Sequence, residues 1–130
     1  MLVRMDLSRI VISENAESQI IILRERDGER HFPIVIGINE ALAIDRRVKG
    51  IMTPRPLTHD LIAQIIAGLG GELEQIVISE LKSHTFFAKL VIRRNGSVIE
   101  VDSRPSDAIA LGAAGDTPIY VDESVLRQVC

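Results

Sequence analysis

Between residues 86 and 93 the chain alternates: Phe86, Ala88, Leu90 and Ile92 fall on one side of an extended backbone, Phe87, Lys89, Val91 and Arg93 on the other. Asn95-Gly96 follows, both of whose residues accept the positive φ of a two-residue hairpin turn, and Val98 to Asp102 is the returning strand. This stretch is committed to antiparallel sheet, and the rest of the chain must accommodate it.

The first half carries similar signals. Val3, Met5 and Leu7 alternate with Arg4, Asp6 and Ser8, then the phase slips, which predicts a bulge at Ser8-Arg9. A polar turn from Ser13 to Glu17 precedes a β-branched run, Gln19 to Leu23. Asp27-Gly28 then leads to Phe32-Pro33-Ile34-Val35-Ile36, a strand whose proline cannot donate to a ladder and so places it at a sheet edge. Two helices are predicted next: Asn39 to Lys49, closed by Gly50, and Thr58 to Leu69, closed by Gly70-Gly71. Thr58 reads as the N-cap of the second, with Leu61, Ile62, Ile65, Ile66 and Leu69 as its buried face.

The same order returns beyond residue 72: a strand from Leu73 to Leu81, the hairpin, and a helix from about Ser103 to Ala114. An extended piece at Thr117 to Val121 and a helical turn capped by Asp122 complete it. Glu40-Ala41-Leu42-Ala43-Ile44 matches Asp107-Ala108-Ile109-Ala110-Leu111 at an offset of 67. The expectation is one compact α+β domain over residues 1–130. It has a mainly antiparallel sheet and packed helices, built from a duplicated β-β-β-α-α unit (about 1–70 and 72–130).

Composition narrows the function. Fifteen Lys and Arg against eighteen Asp and Glu leave a net charge of −3, which argues against a general nucleic-acid coat and leaves room for a local basic patch. Phe32, Phe86, Phe87 and Tyr120 are too few for an aromatic platform that stacks successive bases. The single Cys130 excludes an internal disulfide and a Cys-rich zinc site. No apolar run approaches the roughly 18 residues that span a bilayer, so a soluble, cytoplasmic protein without a membrane partner is expected. A mean hydropathy of +0.20 in so short a chain points to apolar surface buried between copies, hence a homo-oligomer.

Functional groups are densest from Glu100 to Asp107. A strand ends at Asp102 and a helix begins just beyond, so Ser103, Ser106 and Asp107 can cap its amides and Pro105 fits its donor-free first turn. The same arrangement is a phosphate site: a helix N-terminus with two hydroxyls, Ser103 and Ser106, and Arg104, beside Asp102 and Asp107 as ligands for a divalent cation. At Thr58-His59-Asp60, His59 reads either as a solvated first-turn residue or as a general base, with Asp60 as its partner. Neighbours on a helix diverge in direction, which counts against a simple His59–Asp60 pair. Arg46, Arg47, Lys49 and Arg55 form a basic run suited to a phosphate backbone, or merely a solvated face. Glu80-Leu81-Lys82 matches a Glu-x-Lys nuclease element that is common by chance, while His31 and His84 read as isolated core or surface histidines.

Three segments, Phe32 to Ala41, Arg55 to Leu61 and Asp102 to Leu111, resemble the bifunctional nuclease domain family in order and spacing. The likeness covers essentially the whole chain. It implies a compact α+β domain, oligomeric assembly and degradation of both DNA and RNA. Glu40, His59, Asp60, Asp102, Ser103, Arg104, Ser106 and Asp107 stand at positions matching the family's motifs.

The enzymatic expectation is phosphodiester hydrolysis assisted by Mg²⁺ or Mn²⁺, with little sequence preference. Asp102, Asp107 and Glu40 would ligate the metal, His59 would move protons, and Asp60 and Asp107 would complete the catalytic set with it. Ser103, Arg104, Ser106, Arg46, Arg47, Lys49 and Arg55 would hold phosphate. Since Glu40 and Asp107 are equivalent at the 67-residue offset, a cleft shared by the two halves would bring them together. The competing expectation is a non-catalytic oligomeric module that binds an anionic ligand or a protein.

Overall fold

In the computed structural model, which describes residues 1–13 and 15–130, seven strands form one sheet in the order β3-β2-β1-β7-β4-β5-β6. The strands are β1 (Leu2–Val11), β2 (Gln19–Glu25), β3 (His31–Ile36), β4 (Gly71–Lys82), β5 (Thr85–Arg94), β6 (Ser97–Ser103) and β7 (Ile119–Asp122). The helices are α1 (Ile38–Lys49), α2 (Thr58–Gly68), α3 (Pro105–Ala113) and α4 (Glu123–Val129). All neighbouring strands are antiparallel except β4 and β7, which run parallel. The protein is an α+β domain with a mainly antiparallel sheet, as predicted.

Local rules act where the sequence places them. The bulge in β1 falls at Ser8, where the register passes from Leu7↔Leu23 to Arg9↔Ile22. Asn95 and Gly96 adopt φ of 50° and 79°, the positive values their hairpin requires. β3 is an edge strand, with Phe32, Ile34 and Ile36 buried and Pro33 turned outward. Of the polar turn at 13–17, residue 14 lies outside the described residues; Ala16 N–H donates to Ser13 O within it.

The sheet is strongly curled. Phe32 on β3 and Phe86 on β5 stack with ring centroids 5.7 Å apart, although four strands lie between theirs. In a flat sheet at about 4.8 Å per strand they would be roughly 24 Å apart. The curl wraps the sheet about α3, whose Ala108, Ile109 and Ala110 are buried, and closes the end of β3 onto the starts of β5 and α3. α3 lies so close to β4 that a Cβ at Gly112 would stand 2.5 Å from Ile76 Cδ1.

Two expectations are corrected and a third is not confirmed. Thr58 is not the cap of α2: Leu57 is, and Asp60 closes that end by accepting from Leu57 N–H at 3.0 Å. The predicted buried face of α2 is only half buried. Ile62 and Ile66 pack on the core while Leu61, Ile65 and Leu69 are 50–62% exposed, because α3 and the sheet cover one flank of the helix only. The order β-β-β-α recurs in both halves, but a copied five-element unit does not follow from it. In the second half β7 stands between the two helices, and α3 is buried nearly all round whereas α1 keeps a solvated side.

Candidate functional site

α1 and α3 lie side by side with their first turns together, which brings Glu40 of the one beside Arg104, the N-cap of the other. Glu40 packs its carboxylate over Gly37, where a Cβ would stand 2.3 Å from Oε2. Arg104 Nη1 donates to Glu40 Oε1 at 3.4 Å and its Nε to Asp107 Oδ2 at 2.9 Å. His59, in the first turn of α2, reaches Asp107 Oδ1 through Nε2 at 2.9 Å. Four residues from three helices thus form one chain of contacts: Glu40, Arg104, Asp107, His59.

Charge and tautomer follow. Burial pushes the Asp107 carboxyl up, but the Arg104 guanidinium and the His59 ring together hold it below its ordinary value. An ionised carboxylate only accepts, so His59 Nε2 carries the proton and donates, which leaves Nδ1 as the ring nitrogen not engaged by Asp107. The Arg104 side chain is 64% exposed, and ion pairs at such exposure contribute little. Its guanidinium is therefore easily transferred to a stronger anion. The first turn of α3 has no side-chain cap, and Ser103 Oγ, expected to cap it, donates instead to Arg104 O at 2.9 Å.

Two hollows flank this chain. One, of about 600 Å³, has Glu40, Arg46, His59, Arg104 and Asp107 in its wall. The other, of about 420 Å³, shares Glu40 and Arg104 and continues to Ser106 and the β4–β5 turn. In the wall of the first, Arg46 buries an Nε that has no hydrogen-bond partner among the described residues.

The other predicted residues go elsewhere. Arg47 is a clamp between helices: Nε donates to Ala110 O, Nη2 to Leu111 O at 3.0 Å, and Nη1 to Asp60 Oδ1. Asp60, held low by the Leu57 N–H bond and by Arg47 against the effect of burial, has both oxygens engaged and does not pair with His59. Lys49 pairs with Asp45 at 3.0 Å, and Arg55 is exposed with its carbonyl accepting from Thr53 Oγ1. The basic run is therefore split, and only Arg46 of its members lines a flanking hollow.

Asp102 is exposed on β6 opposite Lys89, outside both hollows. The expected Asp102, Asp107 and Glu40 metal cage is not assembled: no three His, Cys, Asp or Glu side chains among the described residues converge on one point. Arg104 spans the two carboxylates that do approach each other, filling with its own charge the place a resident cation would take. Sequence reading missed the His59–Asp107 pair, 48 residues apart, and no local pattern announces it.

Fold and site together define an α+β domain with an arginine, carboxylate and imidazole cluster set between two hollows, an arrangement suited to anionic ligands. The chain belongs to the bifunctional nuclease domain family, whose sequence profile matches residues 21–130. It is 44% identical over 119 residues to an uncharacterized protein of Mycobacterium tuberculosis, covering 92% of this chain and 71% of that one. Bifunctional nuclease 2 of Oryza sativa subsp. japonica is 27% identical over 118 residues, and Bifunctional nuclease 1 of Arabidopsis thaliana 22% over 116. The chain spans 36% of the length of each of these plant proteins. Among the described residues no helix is long and apolar enough to cross a membrane.

Proposed function

We propose that this domain hydrolyses phosphodiester bonds of DNA and RNA at the Glu40–Arg104–Asp107–His59 cluster, with little sequence preference. The observation that carries the reading is the His59–Asp107 pair at 2.9 Å beside an exposed guanidinium. Support also comes from the family membership and from the names of its plant relatives.

In this scheme a phosphate entering the larger hollow draws Arg104 from Glu40, and the Arg46 side chain in the same wall adds a second positive charge. His59 Nδ1 accepts the proton of the attacking water as its oxygen bonds to phosphorus, and Asp107 stabilises the imidazolium. The P–O bond to the leaving oxygen breaks, and the His59 proton passes to that oxygen. Arg104 and the uncapped amides of α3 take up the charge developing on the phosphoryl oxygens. Mg²⁺ or Mn²⁺ would add Lewis-acid polarisation of the phosphate, but Glu40 and Asp107 can receive such an ion only when Arg104 leaves them. The scheme assigns the cluster's groups to the phosphate and its attacking water, which agrees with weak sequence preference.

The domain also assembles as a homo-oligomer in this reading. Leu61, Ile65 and Leu69 on α2, with Val98, Ile99 and Val101 on the edge strand β6, leave large apolar side chains in water. The competing, non-catalytic reading draws on the existing satisfaction of Arg104 by two carboxylates. Activity on mixed DNA and RNA in Mg²⁺, Mn²⁺ or EDTA, with Asp107→Ala alongside wild type, decides between them. Cleavage lost in the variant supports the enzyme; equal cleavage by both assigns the activity to something other than this site.

A further inference from the structure

The hollow of about 420 Å³ on the far side of Arg104 is walled by Ile34, Ile36 and Phe86, with His84 at its rim and Ser106, only 5% exposed, in its lining. Its wall includes Glu40 and Arg104, the same two residues that border the first hollow. A phosphate held by Arg104 therefore stands at the partition between two recesses, each within the roughly 300–1,000 Å³ of a small-ligand site.

We infer that the second recess binds the nucleoside next to the scissile phosphate, so that the substrate is a single-stranded polynucleotide with one nucleotide on each side of Arg104. The inference rests on the hydrolytic reading of the cluster and adds the substrate's form to it. A polymer cleaved at Arg104 must continue in both directions, and the recesses are the two ways out. Part of the lining is apolar, with Phe86 presenting a half-buried ring backed by Phe32, and Glu17, Ser18 and Thr85 complete it with polar groups. His84 adds an imidazole held by a left-handed backbone of φ 63° at the β4–β5 turn. A base still paired and stacked in a duplex cannot enter a walled recess without being extruded, whereas a single strand splays its bases at little cost. No aromatic track is needed, which agrees with the scarcity of aromatic residues, because a recess holds one base where a platform stacks many.

The experiment compares wild-type kinetics on a single-stranded oligonucleotide, the duplex of the same sequence, and methyl p-nitrophenyl phosphate, a diester too small to fill both recesses. DNA and RNA versions of the strand form separate arms. The expected result is kcat/KM for the single strand above that for the duplex by on the order of tenfold or more, the scale of one stacked base. His84→Asn, a residue that tolerates positive φ, is expected to raise KM for the oligonucleotide several-fold more than KM for the small diester. Equal rates on strand and duplex, or equal KM changes for both substrates, overturn the inference while cleavage of the small diester leaves the hydrolytic reading standing. A wild-type protein that cleaves none of the three overturns both.

Discussion

His59 and Asp107 meet at 2.9 Å across 48 residues of chain, one in the first turn of α2 and the other in the first turn of α3. His59 does not pair with its neighbour Asp60, which is drawn away to Leu57 N–H and Arg47, whereas Asp107 also binds Arg104 three residues before it. Asp107→Asn keeps the shape and removes the charge that fixes the ring. Cleavage of mixed DNA and RNA is expected to fall by about a hundredfold or more, the range of a lost general base. Circular dichroism should show the fold retained; undiminished turnover in a folded variant would remove His59 from the scheme.

Glu40 and an incoming phosphate compete for the same guanidinium. Glu40→Gln weakens the ground-state contact, and inorganic phosphate should then inhibit at lower concentration than in wild type. Gly37→Ala is expected to act in the same direction without touching either charge, since its Cβ displaces the Glu40 carboxylate at 2.3 Å. The clash falls on the mobile end of a side chain, so the stability cost should stay within about 1 kcal/mol. Inhibition constants unchanged in both variants would show that Glu40 does not restrain Arg104.

Arg46 and Arg47 are neighbours with opposite fates. Arg47→Ala strips the bonds to Ala110 O, Leu111 O and Asp60, and should cost about 2–4 kcal/mol in chemical denaturation. Arg47→Lys should recover only part, since an ammonium cannot reproduce the fork. Arg46→Ala should leave denaturation nearly unchanged, weaken nucleic-acid binding at every sequence alike, and reduce the magnitude of the salt slope by about one. Interchanged effects would reverse the two assignments.

Acid should unfold the protein partly through this region. Asp107 and Asp60 both have folded values below their unfolded ones, so their contribution is full above the ordinary carboxylate value. It is lost as pH falls through the depressed folded values. Melting temperature measured from neutral pH down to about pH 3 should drop, and the drop should flatten in Asp107→Asn and Asp60→Asn. Parallel curves for wild type and both variants would place the acid-labile groups elsewhere.

Ile65→Glu on α2 and Val101→Glu on β6 place a carboxylate on exposed apolar positions that touch no part of the cluster. Sedimentation of wild type should show an assembly at micromolar concentration, and at least one variant should shift it toward the monomer. A wild type that is already monomeric would end the oligomer proposal.

Much of the fold was legible because it rests on local rules. The period-two runs, the Asn95-Gly96 turn, the Ser8 slip in phase and the edge-seeking Pro33 each act within a few residues, and each appears where the sequence places it. The burial of α2 was not legible. Leu61, Ile62, Ile65 and Ile66 look alike in sequence, and only the docking of that helix decides which of them meets the core. The site divides in the same way. Arg104 and Asp107 stand three residues apart on one helix and could be read as a pair, whereas the arrival of His59 and Glu40 depends on how three helices sit within a curled sheet. The structural bonds of Arg47 are hidden for a related reason: sequence shows the charge and not the carbonyls of α3 that it meets.

The close approach of α3 to β4 at Gly112 reaches further than its own neighbourhood. This helix is a short rigid rod seated on the sheet near one end and bearing Arg104 and Asp107 at the other. A methyl group at 112 would act as a wedge under the seat, tipping the opposite end and detuning the spacing of the polar cluster. Damage to the cluster can thus be inherited through a position remote from it, and the proposed activity is exposed to change at the seated end of the helix as well as at the mouth of the hollows.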